Sequence, residues 1–313
     1  MTDPVICLEP EKKKGDKFGC GRLSMELPMD PILRPVSQSD AAPVAAICYA
    51  AFKTIAERHA FAPDFPDPEA ASGLIDLMLS RSDVHGILAE VDGRIVGSVF
   101  LWEDESVAAV GPITVDPAAQ NNRVGRKLME AVLERAQDRK IPSVRLVQAA
   151  YHARSLSLYT KLGFTVREPL AVMQGPPLNL SVEGHTVFSA TTADLQAANA
   201  VCQRVHGHCR RGELIAALEQ GTPTVVTRNG RLTGYATGIG FFGHAVGETT
   251  ADLKALIGAS SSFAGPGFIV PLRNTELMQW CLNHKLRIVQ PMTLMTIGPY
   301  QEPTGAFLSS ILY

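Results

Sequence analysis

VGPITVDPAAQNNRVGRKLME (Val110–Glu130), followed by SVRLVQAAYHARSLSLYTKLGF (Ser143–Phe164), decides the fold. The spacing predicts strand, turn, helix, strand, helix, strand. From Val124 the apolar positions Val124, Leu128, Ala131, Val132 and Ala136 fall on one helical face. Arg123, Arg126 and Lys127 therefore crowd the first turn, where unpaired N–H groups already carry partial positive charge. Cations are badly placed there unless an anion docks, and helix N-termini bind phosphates well. Gly125 lets a diphosphate come close to the backbone. The plain alternative is a surface helix that tolerates a few arginines. Gly111-Pro112 interrupts the strand-like run Val107–Val115. Proline cannot donate to a ladder, and glycine in a strand marks a bulge. Such a bulge splays the strand from its neighbour and opens a crevice of the kind in which open α/β sheets bind ligands. In the next helix, Ala153–Leu162, the side chains of Leu156, Tyr159 and Leu162 share a face, and Gly163 follows as a left-handed cap. Tyr159 reads either as a core aromatic or as a catalyst.

Together these features resemble the GNAT superfamily of acyl-CoA-dependent N-acetyltransferases. That family carries Gln/Arg-x-x-Gly-x-Gly/Ala on a strand–turn–helix, and its backbone amides hold the CoA pyrophosphate. Gln120-Asn121-Asn122-Arg123-Val124-Gly125 matches at Gln120 and Gly125. It departs at Arg123, where the family has glycine: either one backbone contact is less close or the arginine side chain substitutes. The family's later Asn-x-x-Ala-x-x-x-Tyr-x-x-x-Gly-Phe stands here as His152, Ser155, Tyr159, Gly163 and Phe164, with His152 and Ser155 replacing asparagine and alanine. The resemblance implies an α/β fold of the α+β kind, with a mixed, partly splayed sheet flanked by helices. It implies acetyl-CoA as the acyl donor and Tyr159 as the acid toward the CoA sulfur. The backbone of Ile113, Thr114 and Val115 would bind the pantetheine arm like an added strand. Gln120, Asn121, Asn122, Arg123, Val124, Gly125 and Arg126 would face the pyrophosphate, with His152 and Ser155 also at the donor. No metal is implied.

The chain of 313 residues has room for two domains. Its hydrophobic content of 46% and charged content of 19% are those of a soluble globular protein. A net charge of −2 advertises neither nucleic acid nor an anionic membrane as partner. No apolar run reaches the roughly 18 residues of a spanning helix, and Pro4–Leu8 is too short for a secretory leader. Six scattered cysteines without a Cys-x-x-Cys pair favour free thiols and a reducing, cytoplasmic compartment.

Residues 1–30, with Lys12-Lys13-Lys14 and three nearby glycines, read as a flexible leader in which Met25 or Met29 is an alternative start. A catalytic domain is expected over 31–175. It contains a strand at Ile32–Arg34, a helix at 42–59 and a proline-rich loop at Phe61–Pro68 of the kind that covers sites. A helix at 69–79 and a hairpin turning at Asp92-Gly93 follow. A linker is expected over 176–188, and a second domain over 189–313. There the order of two helices and a Gly-Arg hairpin recurs (Asp92-Gly-Arg-Ile-Val-Gly97 against Asn229-Gly-Arg-Leu-Thr-Gly234), so the expectation is two tandem GNAT-like domains, the second degenerate. Strands are expected at Gly267–Pro271, Leu286–Gln290 and Met292–Ile297.

Acetyl transfer needs a neutral amine, and an ordinary amine of pKa ~10.4 is almost wholly protonated at neutral pH, so a base is useful. Glu57, His59, Glu103, Asp104, Glu105 and the Tyr313 carboxylate are candidates, each with a solvated surface charge as the plain alternative. Cys202, His206, His208 and Cys209 lie close in sequence but lack paired metal-ligand spacing, which favours buried thiols and helix-end histidines. The expected acceptor is a small-molecule amine. A protein or peptide amine is the second reading, and a non-catalytic acyl-CoA-binding module the third. A homodimer is an open expectation.

Overall fold

A glycine–proline pair sets the break in the main sheet. Val107–Val115 (β4) runs antiparallel to Arg94–Trp102 (β3), but its register shifts at Gly111-Pro112: Val99 faces Ile113, while Leu101 faces Val110. The expected bulge is present, and Trp102 Nε1 donates to the carbonyl of Gly111 at 2.8 Å. On its other side β4 runs parallel to Ser143–Ala149 (β5), but only Val107–Ala109 pair, with Ser143–Arg145. Past Ala109 the two strands part.

The computed structural model of the chain describes residues 30–120 and 122–313. The expected leader, its alternative starts and Asn121 lie outside the described residues. From Ile32–Pro35 (β1) the chain continues through Ala41–Arg58 (α1), Pro68–Ser80 (α2) and Val84–Val91 (β2) to β3 and β4. Val124–Asp138 (α3), β5, Ala153–Lys161 (α4) and Thr165–Gln174 (β6) follow. The same order then recurs. It comprises His185–Ser189 (β7), Leu195–His206 (α5), Arg211–Gln220 (α6), Thr224–Arg228 (β8), Arg231–Ala236 (β9) and Ala245–Gly247 (β10). Thr250–Ala259 (α7), Phe268–Pro271 (β11), Thr275–Asn283 (α8) and Arg287–Ile297 (β12) complete it, and Ala306–Leu308 (β13) is added at the end. Both hairpins turn through the same left-handed pair: Asp92 and Gly93 have φ of 53° and 72°, and so do Asn229 and Gly230. This is the backbone that Asp-Gly and Asn-Gly favour.

The first sheet has the order β1-β2-β3-β4-β5-β12-β6-β11, and the second β13-β10-β9-β8-β7. A strand from each half is thus lodged in the other's company. β12 lies between β5 and β6, and β6 lies between β12 and β11. Several details differ from the sequence reading. Residues 185–189, within and just past the expected linker, form an edge strand. Ala245–Gly247 forms a short strand where none was expected. The two expected strands at 286–290 and 292–297 are one, with a bulge between Ile288 and Gln290. Pro291 fits because its carbonyl faces β5, accepting from Ala150 N–H at 3.0 Å, and its missing N–H faces the same way where the β5 ladder has ended.

Candidate active site

The parting of β4 and β5 opens a cavity of about 410 Å³. Val110–Val115 forms one wall and Leu146–Ala149 the other, with the first turn of α3 at one end and α4 alongside. Of the residues singled out in the sequence, Ile113, Thr114, Val115, Gln120, Arg123, Val124, Gly125, Arg126, His152, Ser155 and Tyr159 all line it. Asn122 is exposed and does not.

The α3 start is built to leave its N–H groups available. Its N-cap is Arg123, which makes no side-chain cap and has φ 60° and ψ 5°. That is the left-handed region, which explains why glycine suits this position and what arginine costs there. A Cβ at Gly125 would stand 3.6 Å from Val115 Cγ2 and 3.8 Å from Leu158 Cδ2. Protein packing alone therefore does not demand glycine, and Gly125 lines the cavity. Arg126 is steadied by Glu130 at 2.7 Å. Gln120 bridges elements: its Nε2 donates to the Val115 carbonyl at 3.4 Å, and its Oε1 accepts from Arg154 Nη2 at 2.6 Å.

Tyr159 is 5% exposed and packs edge-on to Phe164. Burial pushes its phenol up to about 12, against a hydrogen bond from Ser155. Ser155 Oγ also lies 2.8 Å from His152 Nδ1, so the three side chains form a chain along α4. Burial, reinforced by Arg154, His59 and Arg58, brings His152 down to about 4, which leaves it neutral at pH 7.

Among the lining residues not singled out in the sequence are Gln148 and Asp64. Gln148 is 7% exposed on β5, and neither its amide nitrogen nor its amide oxygen has a partner among the described residues. It alternates with Leu146 and Val144, which share a core with Tyr159, so its side chain is on the α3–α4 face of the sheet. Orphaned amide atoms in a buried wall are costly unless something else satisfies them. Asp64, in the proline-rich loop, is the only carboxylate among the described residues that line the cavity. Its Oδ1 accepts from Gln290 Nε2 of β12 at 3.1 Å, and burial pushes it up to about 6. The same loop is pinned by Phe61 stacking on Tyr151, with ring centroids 4.3 Å apart.

Residues 52–164 match the model of the acetyltransferase (GNAT) family. The chain carries a GNAT acetyltransferase domain. It is 28% identical over 119 residues to an IAA acetyltransferase of Azospirillum brasilense, covering 37% of this chain and 78% of that protein. It is 37% identical over 93 residues to a mycothiol acetyltransferase of Thermomonospora curvata, covering 29% of this chain but only 31% of that protein. The crystal structure of a presumed acetyltransferase from Pyrococcus horikoshii superposes with a TM-score of 0.70 at 18% identity, over 88% of this chain and 94% of that one. A GCN5-related N-acetyltransferase from Sphaerobacter thermophilus gives 0.58 at 16% identity, over 88% and 98%. At such identities these two show a shared fold that extends well beyond the GNAT domain.

The expected bases are not at this cavity. Glu57, His59 and Glu105 are exposed and do not line it. Glu103 is held by Arg135 at 2.6 Å and Arg139 at 3.2 Å. Asp104 accepts from the Ser106 N–H at 3.3 Å, and the Tyr313 main-chain oxygen accepts from Arg210. The side chains of Cys202, His206 and His208 are buried, and Cys209 is exposed. Burial, with nearby guanidinium charge, holds both histidines well on the neutral side.

Proposed function

We propose that this chain is an acetyl-CoA-dependent N-acetyltransferase that acetylates a primary amine of a small molecule. We take it as two tandem GNAT-like halves, about 31–175 and 189–313, of which only the first holds the donor. The observation that carries this is the contrast between two equivalent helix starts. At α3 the N-cap has no side-chain cap, the turn carries Arg123 and Arg126, and the strands beside it are parted. At α7, Thr249 and Asp252 form a capping box, with Thr249 Oγ1 and N–H both donating to the Asp252 carboxylate at 2.7 and 2.8 Å. The anion position there is filled by the protein's own carboxylate. The cleft beside it is filled too. β13 pairs along β10, and Ser309 N–H donates to Ile269 of β11 at 3.0 Å.

The donor residues fit their ligand. The amides of the α3 start and the arginines beside them suit a pyrophosphate, and the parted edge of β4 suits the amide-bearing pantetheine arm. The acetyl thioester supplies an activated acyl group. Holding it against the acceptor turns a bimolecular encounter into a local one. Gln148's unsatisfied amide N–H is available to the acyl oxygen as it gains charge. Tyr159 keeps its proton at neutral pH and offers it to the departing sulfur. Ser155 and His152 behind it hold the phenol in place.

The names of the relatives specify different acceptors, so kinship does not carry an acceptor to this chain. A calorimetric titration with acetyl-CoA tests the donor reading, and absence of binding by the full chain sinks it. With an acetylated amine in hand, Tyr159→Phe should lower kcat by about 10²-fold with the acetyl-CoA Kd unchanged. Retained turnover removes Tyr159 from the chemistry.

A further inference from the structure

A second cavity, of about 650 Å³, abuts the first, and Asp64, Phe65, Leu74, Phe242 and Leu312 line both. That volume suits a small molecule. Its remaining walls come from both halves: α2 and residues 102–104 on one side, α6, residues 237–243 and the stretch around Tyr313 on the other.

Its charge selects a class of ligand. Arg81 is taken by Asp83 at 2.6 Å, and Arg210 by Glu213 at 2.7 Å. Glu103 is likewise held by two arginines. That leaves Asp64 and Asp104, neither of which has an ion-pair partner among the described residues. A chamber with two uncompensated carboxylates repels anions and favours cations. One of the two, Asp64, stands where the chamber meets the donor cavity.

We infer that this second cavity is the acceptor chamber: the body of a cationic primary amine lies against Phe65, Trp102 and Phe242, and its ammonium group meets Asp64. This rests on the donor reading above. Asp64 takes one proton from the ammonium, freeing the nitrogen lone pair. The C–N bond then forms as the C–S bond breaks, and its electrons leave with sulfur, which takes the Tyr159 proton. The nitrogen's second proton leaves to solvent and balances the one Tyr159 recovers, and Asp64 then gives its own proton to solvent as the net proton released. Gln290 is the positioning residue, holding Asp64 at the junction from β12 of the other half. With a carboxyl near 6, Asp64 is ionised at neutral pH yet basic enough to accept a proton. The second half thus shapes the acceptor site as well as supporting the sheet.

The test is CoA release by the full chain with acetyl-CoA and phenethylamine, with glutamate as the acidic comparison. Phenethylamine should be acetylated, and faster than glutamate. Asp64→Asn should raise its KM at least tenfold, and so should Ala216→Trp, which fills the far wall of the chamber from α6. Neither should move the acetyl-CoA Kd. Either variant leaving KM unchanged overturns the inference, as does wild-type protein that binds acetyl-CoA but prefers glutamate or ignores phenethylamine. Wild-type protein that does not bind acetyl-CoA overturns the donor reading instead.

Discussion

At the scale of single residues, Gln148 separates stability from function. Its amide nitrogen and oxygen are buried without partners among the described residues, which costs about 1–3 kcal/mol for a group left unsatisfied. A residue kept only for the fold would not be polar here. Gln148→Leu should therefore leave denaturant stability unchanged or raise it by about 1 kcal/mol, while kcat falls by about 10²-fold, as when one oxyanion donor is lost. A variant that loses stability but keeps its turnover contradicts that role. The contrast with Tyr159 shows what a sequence can disclose. Tyr159, Gln120 and Gly125 were legible because fixed spacings tie them to a helix start and a helix face. Gln148 was not, because within the apolar run Ser143–Ala149 it reads as one more strand residue, and its missing partners are a three-dimensional fact. Asp64 was hidden for another reason. The proline-rich loop was recognisable, but the contact that aims this carboxylate comes from Gln290, 226 residues away.

At the scale of elements, the start of α3 carries a conflict between backbone and charge. Arg123 sits at φ 60°, a conformation that costs a residue with a Cβ roughly 1–2 kcal/mol relative to glycine. Arg123→Gly should raise the stability of the folded chain by about 1 kcal/mol in a urea melt. It should also weaken acetyl-CoA binding at low salt, and the loss should shrink as salt screens the remaining cations. Unchanged affinity at every ionic strength would show that the helix amides alone hold the anion. The strong elements were legible by periodicity and by their turns: α1 was expected within a residue of its bounds, α3 from its first residue, and both hairpins at their Asx-Gly turns. The weak ones were not. β7 is an edge strand with little alternation, β10 spans only Ala245–Gly247, and Pro291 concealed the continuity of β12. In each case the pairing partner, and not the local sequence, makes the strand.

At the scale of the whole molecule, the exchange of β6 and β12 binds the proposed halves into one cooperative structure. β5 is covered by β12 from Met292 against Ala149 to Ile297 against Val144, and β6 takes β12 on one side and β11 on the other. Leu170, Val172, Met292 and Leu294, from both exchanged strands, are buried in one cluster with Val147 and Ile269. Separating the halves would expose these side chains at roughly 1.5–3 kcal/mol each, a sum comparable to the ~5–15 kcal/mol that holds a typical domain folded. Neither half can therefore melt while the other stays native. Calorimetry of the full chain should show a single transition with calorimetric and van't Hoff enthalpies in agreement. The first half expressed alone, ending before residue 180, should lack a cooperative transition, because β6 would keep neither of its partners. Two resolved transitions in the intact chain, or a cooperatively folding first half, would mean that the shared strands contribute little. The second half would then be an appended module and not part of the sheet that holds the site open.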